Sequence, residues 1–286
     1  MIIHSREGQH RTCPYILVPC KLDMRQICMG EASQRKRRMH ARLQAQPWCI
    51  YCGGVNEATT TDHMPPITIF DQRRRPRGLE FSACQPCNSG GRVAEKIVGL
   101  VSRTYPDPPN DTGRKELKRL YREFASHHPD LLEEMWPTNE QLQQEANLPA
   151  GTHVLNARGP RLNEAMNRFA AKLALALHFK MTGAIASTAA AVAGRWYSNH
   201  QAYTGAIPDV LLKAVRDAAG TLVQGKWNVG EQFAYAGAHT PSGKQSLFVA
   251  RFREAFAVAG MVYDDLEPPE VEGFSVVRPG FLRSNS

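Results

Sequence analysis

The clearest periodic pattern of hydrophobic positions lies in the second half of the chain. Five apolar residues recur there at intervals of three or four: Leu162, Met166, Phe169, Leu173 and Leu177. This spacing places them on one face of an amphipathic helix. The Ala-rich run after Gly183 predicts a second helix directly behind the first.

Two more helices are predicted upstream. The segment "RKELKRLYREF" has basic residues around one apolar stripe, which consists of Leu117, Leu120, Tyr121 and Phe124. A shorter helix beginning near Ser89 would bury a stripe made of Val93, Ile97, Leu100 and Val101. The stretch "YPDPPNDTG", residues 105–113, is a turn-rich linker between these two helices.

Near the C-terminus the pattern changes to a period of two, which is typical of strands. Phe248, Ala250 and Phe252 alternate with Val249, Arg251 and Arg253. The turn residues Pro241-Ser242-Gly243 precede this run, and an apolar run follows it. The tail therefore predicts a small antiparallel sheet of two or three strands.

Composition narrows the class of protein only a little. The chain has 286 residues, 42% of them hydrophobic, so it can bury a substantial core. Its formal net charge of +8 favours a polyanionic partner, although charge alone does not identify one. The N-terminal segment, residues 1–41, lacks a hydrophobic period and ends in a basic cluster, "QRKRRMHAR". We interpret this segment as a poorly ordered arm or a solvated tail.

Cysteine usage points to a reducing compartment. The chain has seven cysteines and no recognisable secretory signal before them. An odd number of cysteines in such a chain favours a soluble cytoplasmic protein, in which paired cysteines hold metal more often than they form disulfides. Residues 173–194 are rich in alanine, but His178 and Lys180 interrupt them, so no membrane span is expected.

Two CxxC pairs carry the strongest chemical signal. Cys49 and Cys52 form the first pair, and Cys84 and Cys87 form the second. Four thiolates complete the tetrahedral coordination of Zn²⁺ and leave no open position, so the predicted zinc site is structural. Two unrelated pairs, one of them redox-active, would be the alternative. Cys13, Cys20 and Cys28 lack CxxC spacing and predict no second site.

Three polar residues accompany the cysteines. Asp62 and His63 lie between the two pairs, in "TTTDHMPPITIF", and Asn88 directly follows the second pair. Singly, each has an ordinary structural interpretation, such as a satisfied histidine or a helix cap. Together with the cysteines they resemble the HNH endonucleases, the ββα-metal family, in its four-cysteine form. The matching stretches are "CIYC", "TDHMPP" and "GLEFSACQPCNSGG", within about residues 46–103.

The resemblance implies a role for each matched residue. His63 would be the general base that takes a proton from the attacking water. Asp62 and Asn88 would hold a catalytic divalent ion, and Cys49, Cys52, Cys84 and Cys87 would hold the structural zinc. Because two hard oxygen ligands leave most positions to water and substrate, the catalytic ion would be Mg²⁺ or Mn²⁺. The imidazole, with an ordinary pKa of about 6.5, suits the role of base near neutral pH.

The family's middle asparagine, which orients the histidine loop, has no counterpart near Gly78 or Leu79. Three alternatives follow: Asp71 or Gln72 replaces it by hydrogen-bonding the loop, the enzyme is slow, or the domain has lost cleavage and kept binding. Six basic residues around the motif are candidates for neutralising phosphates, although an arginine-rich loop can also be a solvated insertion: Arg73, Arg74, Arg75, Arg77, Arg92 and Lys96.

The predicted architecture is α+β. A basic arm (1–41) precedes an HNH nuclease domain (42–104), followed by a helical domain (105–227) and a small β element with the tail (228–286). The predicted function is metal-dependent hydrolysis of DNA phosphodiester bonds, with RNA left open as a substrate and a homodimer left open as the assembly. The alternatives are a zinc-stapled nucleic-acid-binding module without catalysis and, less favoured, a protein-interaction scaffold.

Overall fold

The computed structural model describes residues 31–106, 108, 110–145, 155–215, 223–224, 227–264 and 272–283. Contacts divide the chain into two units, Met1–Arg38 and Met39–Ser286. Most of the predicted arm, including its three cysteines, lies outside the described residues. Its last part belongs to helix α1, Glu31–Ala45, which carries the basic cluster.

The segment with the HNH-like motif folds into a hairpin and two short helices. Strand β1 (Thr60–His63) pairs antiparallel with β2 (Glu80–Ala83), so that Asp62 lies opposite Phe81 and His63 opposite Glu80. Helices α2 (Gln85–Gly90) and α3 (Arg92–Val101) follow β2 directly. The order of two strands and a helix is the one expected from the sequence motif.

Further helices follow in the middle of the chain. They are α4 (Asp111–His127), α5 (Pro129–Met135), α6 (Asn139–Glu145), α7 (Pro160–Thr182), α8 (Asn199–Tyr203) and α9 (Asp209–Val215). Asn110 caps α4 by accepting a hydrogen bond from the Gly113 amide at 2.8 Å. The linker predicted over residues 105–113 therefore ends earlier than expected, at this cap.

A five-stranded sheet forms the other layer of the fold. Its strands are β3 (Ala191–Ser198), β6 (Ala234–His239), β7 (Gln245–Phe252), β8 (Phe256–Tyr263) and β9 (Ser275–Val277). They lie in the order β6-β7-β8-β3-β9, and each pairs antiparallel with its neighbours. Two short strands, β4 (Val223–Gln224) and β5 (Trp227–Asn228), form a separate pair. The predicted C-terminal strands are confirmed, including the alternating burial of Phe248, Ala250 and Phe252.

Helix α7 contacts both the five-stranded sheet and helix α3, which follows the β1–β2 hairpin. All five residues of its predicted apolar stripe are buried, which confirms that prediction. The helix packs on β3 and β8 of the sheet, and it also packs on α3 beside the hairpin. Because α7 is in contact on several sides, its charged Lys172 and polar His178 are buried as well.

The prediction of a second Ala-rich helix after Gly183 was wrong. Gly183 ends α7 in the left-handed conformation, with φ of 72°, and residues 191–198 form strand β3, which lies between β8 and β9 in the sheet. This strand is buried on both faces, so it shows no alternation. Small residues suit its close approach to α7, since a Cβ on Gly194 would lie 2.7 Å from the Ala171 nitrogen.

The two upstream stripes were predicted correctly only in part. Ile97, Leu100 and Leu120 are buried as expected, but Val93 is 50% exposed and Tyr121 is 45% exposed. The predicted nuclease, helical and β segments all fall within the unit from Met39 onward. The described structure is mixed helix and sheet, and none of its helices has the length and apolar character needed to cross a membrane.

We expect the stability of the fold to decrease below about pH 6.5 because of His178. This histidine is buried and hydrogen-bonds Ser246 Oγ through Nδ1 at 2.8 Å, and its Nε2 has no hydrogen-bond partner among the described residues. Burial lowers its pKa below 6.5 in the folded chain, so the unfolded chain binds the proton first as the pH falls. The loss reaches at most about 1.4 kcal/mol per pH unit and ends at the folded pKa.

The measurement is the free energy of urea unfolding as a function of pH. In the His178→Gln variant, the free energy of unfolding is expected to change less between neutral pH and pH 5 than in the wild type. The control is His127→Gln, which changes an exposed histidine of α4 and should leave the wild-type dependence unchanged. Equal slopes in the wild type and the His178 variant would contradict this account.

Candidate functional site

The first CxxC pair, Cys49 and Cys52, lies in a tight turn, called here the first knuckle, which two glycines stabilise. Gly53 and Gly54, which follow Cys52, have φ of 68° and 73°, a region that glycine adopts without strain. The Gly54 amide donates to the Cys49 carbonyl at 3.1 Å and closes the turn. The amide of Ile50 donates to Ser82 O at 3.1 Å, which ties this knuckle to β2.

The second CxxC pair, Cys84 and Cys87, forms the second knuckle, at the junction of β2 and α2. Cys84 is the residue before α2, and Pro86 stands in its first turn, where the missing amide proton costs nothing. Cys87 lies one turn later, so both thiols point back toward the first knuckle. The ligand atoms of Cys49, Cys52, Cys84 and Cys87 all lie within 4.8 Å of one another, and all four residues are buried.

This four-cysteine cluster could hold a zinc ion. Tetrahedral coordination with Zn–S bonds of about 2.3 Å places sulfur atoms about 3.8 Å apart, which is compatible with the observed spread. Asn56 Nδ2 donates to the Cys84 sulfur at 3.7 Å, the kind of outer hydrogen bond that stabilises a bound thiolate. Elsewhere in the described ranges, no group of three or more His, Cys, Asp or Glu residues lies close enough to hold a metal.

Asp62 is buried and already has two partners. It is 4% exposed, and its Oδ2 accepts a hydrogen bond from Tyr51 Oη at 2.6 Å. Lys172 Nζ, from α7, lies 3.0 Å from the same oxygen. No described residue hydrogen-bonds Oδ1, so one carboxylate oxygen remains for a further ligand.

Lys172 bridges Asp62 to Glu95 of α3. Its ammonium contacts Glu95 Oε1 as well as Asp62, and it lies 5.2 Å from the centroid of the Tyr51 ring. Burial opposes the charged form of Lys172, but Asp62 and Glu95 outweigh it and raise the pKa of this lysine above 10.5. Burial also raises the pKa of Glu95, against the opposing effect of Lys172. The lysine therefore stays charged inside the protein.

His63 is half-buried at the end of β1, and its ring is not hydrogen-bonded within the described part of the chain. Burial lowers its pKa to about 4, with a further contribution from the nearby Arg75 guanidinium. The imidazole is therefore neutral at pH 7 and able to accept a proton. The Met64 amide donates to the Leu79 carbonyl at 3.1 Å, so this backbone hydrogen bond holds the start of the loop to the residue before β2.

Asn88 lies against the same face of β1 as Asp62. Its Nδ2 donates to Thr60 Oγ1 at 3.1 Å, and Thr60 and Asp62 share a face because side chains alternate along a strand. Its Oδ1 has no hydrogen bond to a described residue. Carboxylate and amide oxygens are hard ligands of the type that Mg²⁺ and Mn²⁺ prefer, so Asp62 and Asn88 are candidate ligands for such an ion.

Asp71 anchors the loop after His63, but it does so toward the sheet. Its Oδ1 accepts from Arg103 Nη1 at 2.9 Å and from Arg253 Nη2 at 2.7 Å, and its amide donates to Gln232 at 2.7 Å. Gln72 is exposed, with a left-handed φ of 51°. Asp71 therefore ties the loop to Arg103 and Arg253 by two ion pairs that the sequence pattern did not predict.

The predicted phosphate-binding residues lie in different environments. Arg73, Arg77 and Arg92 are exposed, whereas Arg74 and Arg75 are half-buried. Burial lowers the pKa of Arg75 to about 10, and Glu80 and Asp62 partly oppose this effect, which places Arg75 beside the His63 end of β1. Lys96 pairs with Glu123 at 2.8 Å, so its charge is already partly neutralised.

Three residues of the site were missed in the sequence. Tyr51, Glu95 and Lys172 come from the first knuckle, α3 and α7, which are far apart in the chain. Only Lys172 carried a signal: it is the one charged residue in the stretch "FAAKLALAL", whose other members are all apolar. A charge on the buried side of a helix predicts a buried counter-ion, but not which one.

No protein-family model, no curated protein and no solved structure matches this chain. The geometry of the described residues is thus the basis for assigning a function.

We expect the Cys84→Ser variant to lose bound zinc and to unfold at a markedly lower temperature. A structural zinc site contributes on the order of 10 kcal/mol to a small module, and removing one of four thiolates weakens it. The measurements are zinc per chain by mass spectrometry and the thermal midpoint. Cys28→Ser, which changes a cysteine without CxxC spacing, is the control. Unchanged zinc content in Cys84→Ser would refute the four-cysteine site.

Proposed function

We propose that this protein is a metal-dependent HNH-type endonuclease, a hydrolase of DNA phosphodiester bonds. The observation that carries the proposal is the arrangement at the end of β1. His63, whose pKa is lowered to about 4, directly follows Asp62 at the end of β1, Asn88 contacts Thr60 on the Asp62 face of that strand, and the four-cysteine cluster lies at the base of the same hairpin. No single one of these features would identify a nuclease.

The chemistry assigned to each residue follows from its environment. His63 takes the proton from the attacking water, which its neutral ring can do at any pH well above 4. A low pKa makes it a weaker base than a free histidine, and this favours a modest rate. Asp62 Oδ1 and Asn88 Oδ1 would hold Mg²⁺ or Mn²⁺, which stabilises the charge on the phosphate and on the leaving oxygen when bound.

The substrate class follows from charge and position. The formal net charge is +8, and Arg73, Arg77 and Arg92 are exposed on segments that flank the hairpin and α3. Guanidinium groups in these positions would bind phosphates on either side of the scissile bond. A single ββα site cuts one strand, so a monomer is expected to nick duplex DNA and a dimer to break both strands.

One observation favours a second candidate, a zinc-stapled nucleic-acid-binding module without catalysis. Asp62 Oδ2 is already bound to Tyr51 and Lys172, as in a carboxylate that serves the fold. The two candidates share the DNA-binding surface and differ only in whether His63 and Asp62 take part in cleavage.

A plasmid-cleavage assay separates the two candidates. Purified protein is incubated with supercoiled plasmid and Mg²⁺ or Mn²⁺, and a transcript of the same sequence serves as the RNA arm. The wild type is expected to nick the plasmid only with the divalent ion present. His63→Ala should lower the rate at least 100-fold, which is about the lower end for loss of a general base.

The control is His127→Ala, which removes an exposed histidine on α4 and should cleave at the wild-type rate. Plasmid binding without cleavage, with either Mg²⁺ or Mn²⁺ present, would contradict the nuclease proposal and favour the binding module. Cleavage of the transcript alone would change the substrate to RNA.

A further inference from the structure

The least expected charged residue in the structure is Lys172. It lies in the middle of α7 and is only 1% exposed. Moving an ammonium group into a protein interior costs several kcal/mol unless partners compensate for the lost water. An apolar side chain would pack in this position at lower cost. A lysine here therefore indicates a role that depends on the charged groups around its ammonium.

The surroundings of Lys172 are built for its ammonium group. Asp62, Glu95 and the face of the Tyr51 ring surround Nζ on three sides. Gly91, between α2 and α3, completes the space: a Cβ there would lie 2.7 Å from Nζ. Any side chain at Gly91 would push the ammonium away from its two carboxylates.

The ammonium lies between the carboxylates of Asp62 and Glu95, and it contacts only one oxygen of Asp62. We propose that Lys172 is a positioning residue of the cleavage site, which fixes Asp62 Oδ2 so that Oδ1 faces the cation position and which limits how tightly a divalent ion binds there. This inference rests on the proposed function, because it concerns the same Asp62 oxygen.

Charge gives the direction of the effect. With both carboxyl groups ionised, Asp62, Glu95 and Lys172 together carry a formal charge of −1. Without the ammonium the charge becomes −2, and a divalent ion at Asp62 is attracted more strongly. Because a unit charge about 5 Å away in a partly buried site is worth several kcal/mol of interaction, at least a tenfold gain in affinity is expected.

Mn²⁺ binding to the zinc-loaded full-length protein tests the inference without reference to activity. Free Mn²⁺ is measured by electron paramagnetic resonance for the wild type and three variants. Lys172→Met removes the charge and keeps the length, Lys172→Arg keeps the charge, and Lys180→Met changes an exposed lysine of the same helix. Of these three variants, we expect only Lys172→Met to bind Mn²⁺ at least about tenfold more tightly than the wild type. Asp62→Asn, which removes the proposed ligand, should abolish binding both alone and together with Lys172→Met.

Glu95→Gln covers the case in which Lys172→Met fails to fold, as judged by zinc content and circular dichroism. It removes one carboxylate and leaves the ammonium to Asp62, so Mn²⁺ should bind about tenfold more weakly than in the wild type.

Equal Mn²⁺ affinity in folded Lys172→Met and wild type, with binding still abolished by Asp62→Asn, would overturn the role of Lys172 and leave the proposed function intact. Unchanged affinity in Glu95→Gln would overturn it in the same way. No Mn²⁺ binding by any of these proteins would overturn both the inference and the proposed cation site.

Discussion

The buried contact between Lys172 and Asp62 is the interaction on which the arrangement of the site depends. It joins β1 of the hairpin to α7, and through Glu95 it also joins α3. Removing one member of a buried charged group typically costs about 3–5 kcal/mol, because the remaining charge loses its partner. The hairpin is thus held in place by the helix that also supports the five-stranded sheet.

This constraint explains why the hairpin and the rest of the chain from Met39 onward form one unit. Asp71 makes a second connection to Arg103 and Arg253, and the Gly280 amide makes a third by donating to Tyr51 O at 2.8 Å. A carboxylate that belongs to such a network has a fixed orientation, which under the proposed function would be set before a substrate binds. Under the proposed function, Asp62 would serve the fold through Oδ2 and a cation site through Oδ1.

Residue patterns within a short stretch of sequence predicted the elements that such a stretch determines. The two CxxC pairs predicted the four-cysteine cluster, and the alternation around Phe248 predicted strand β7. Strand β3 was mistaken for a helix because burial on both faces removes alternation, and its alanines favour a helix when taken alone. Lys172, Glu95 and Tyr51 meet only through tertiary packing, so their spacing in the chain holds no sign of the contact.

The most direct test of the central claim is anomalous diffraction from crystals of the zinc-loaded protein soaked in Mn²⁺. The account predicts a zinc peak among Cys49, Cys52, Cys84 and Cys87 and a separate manganese peak within bonding distance of Asp62 Oδ1 and Asn88 Oδ1. A zinc peak alone, with Asp62 bound only to Tyr51 and Lys172, would contradict it.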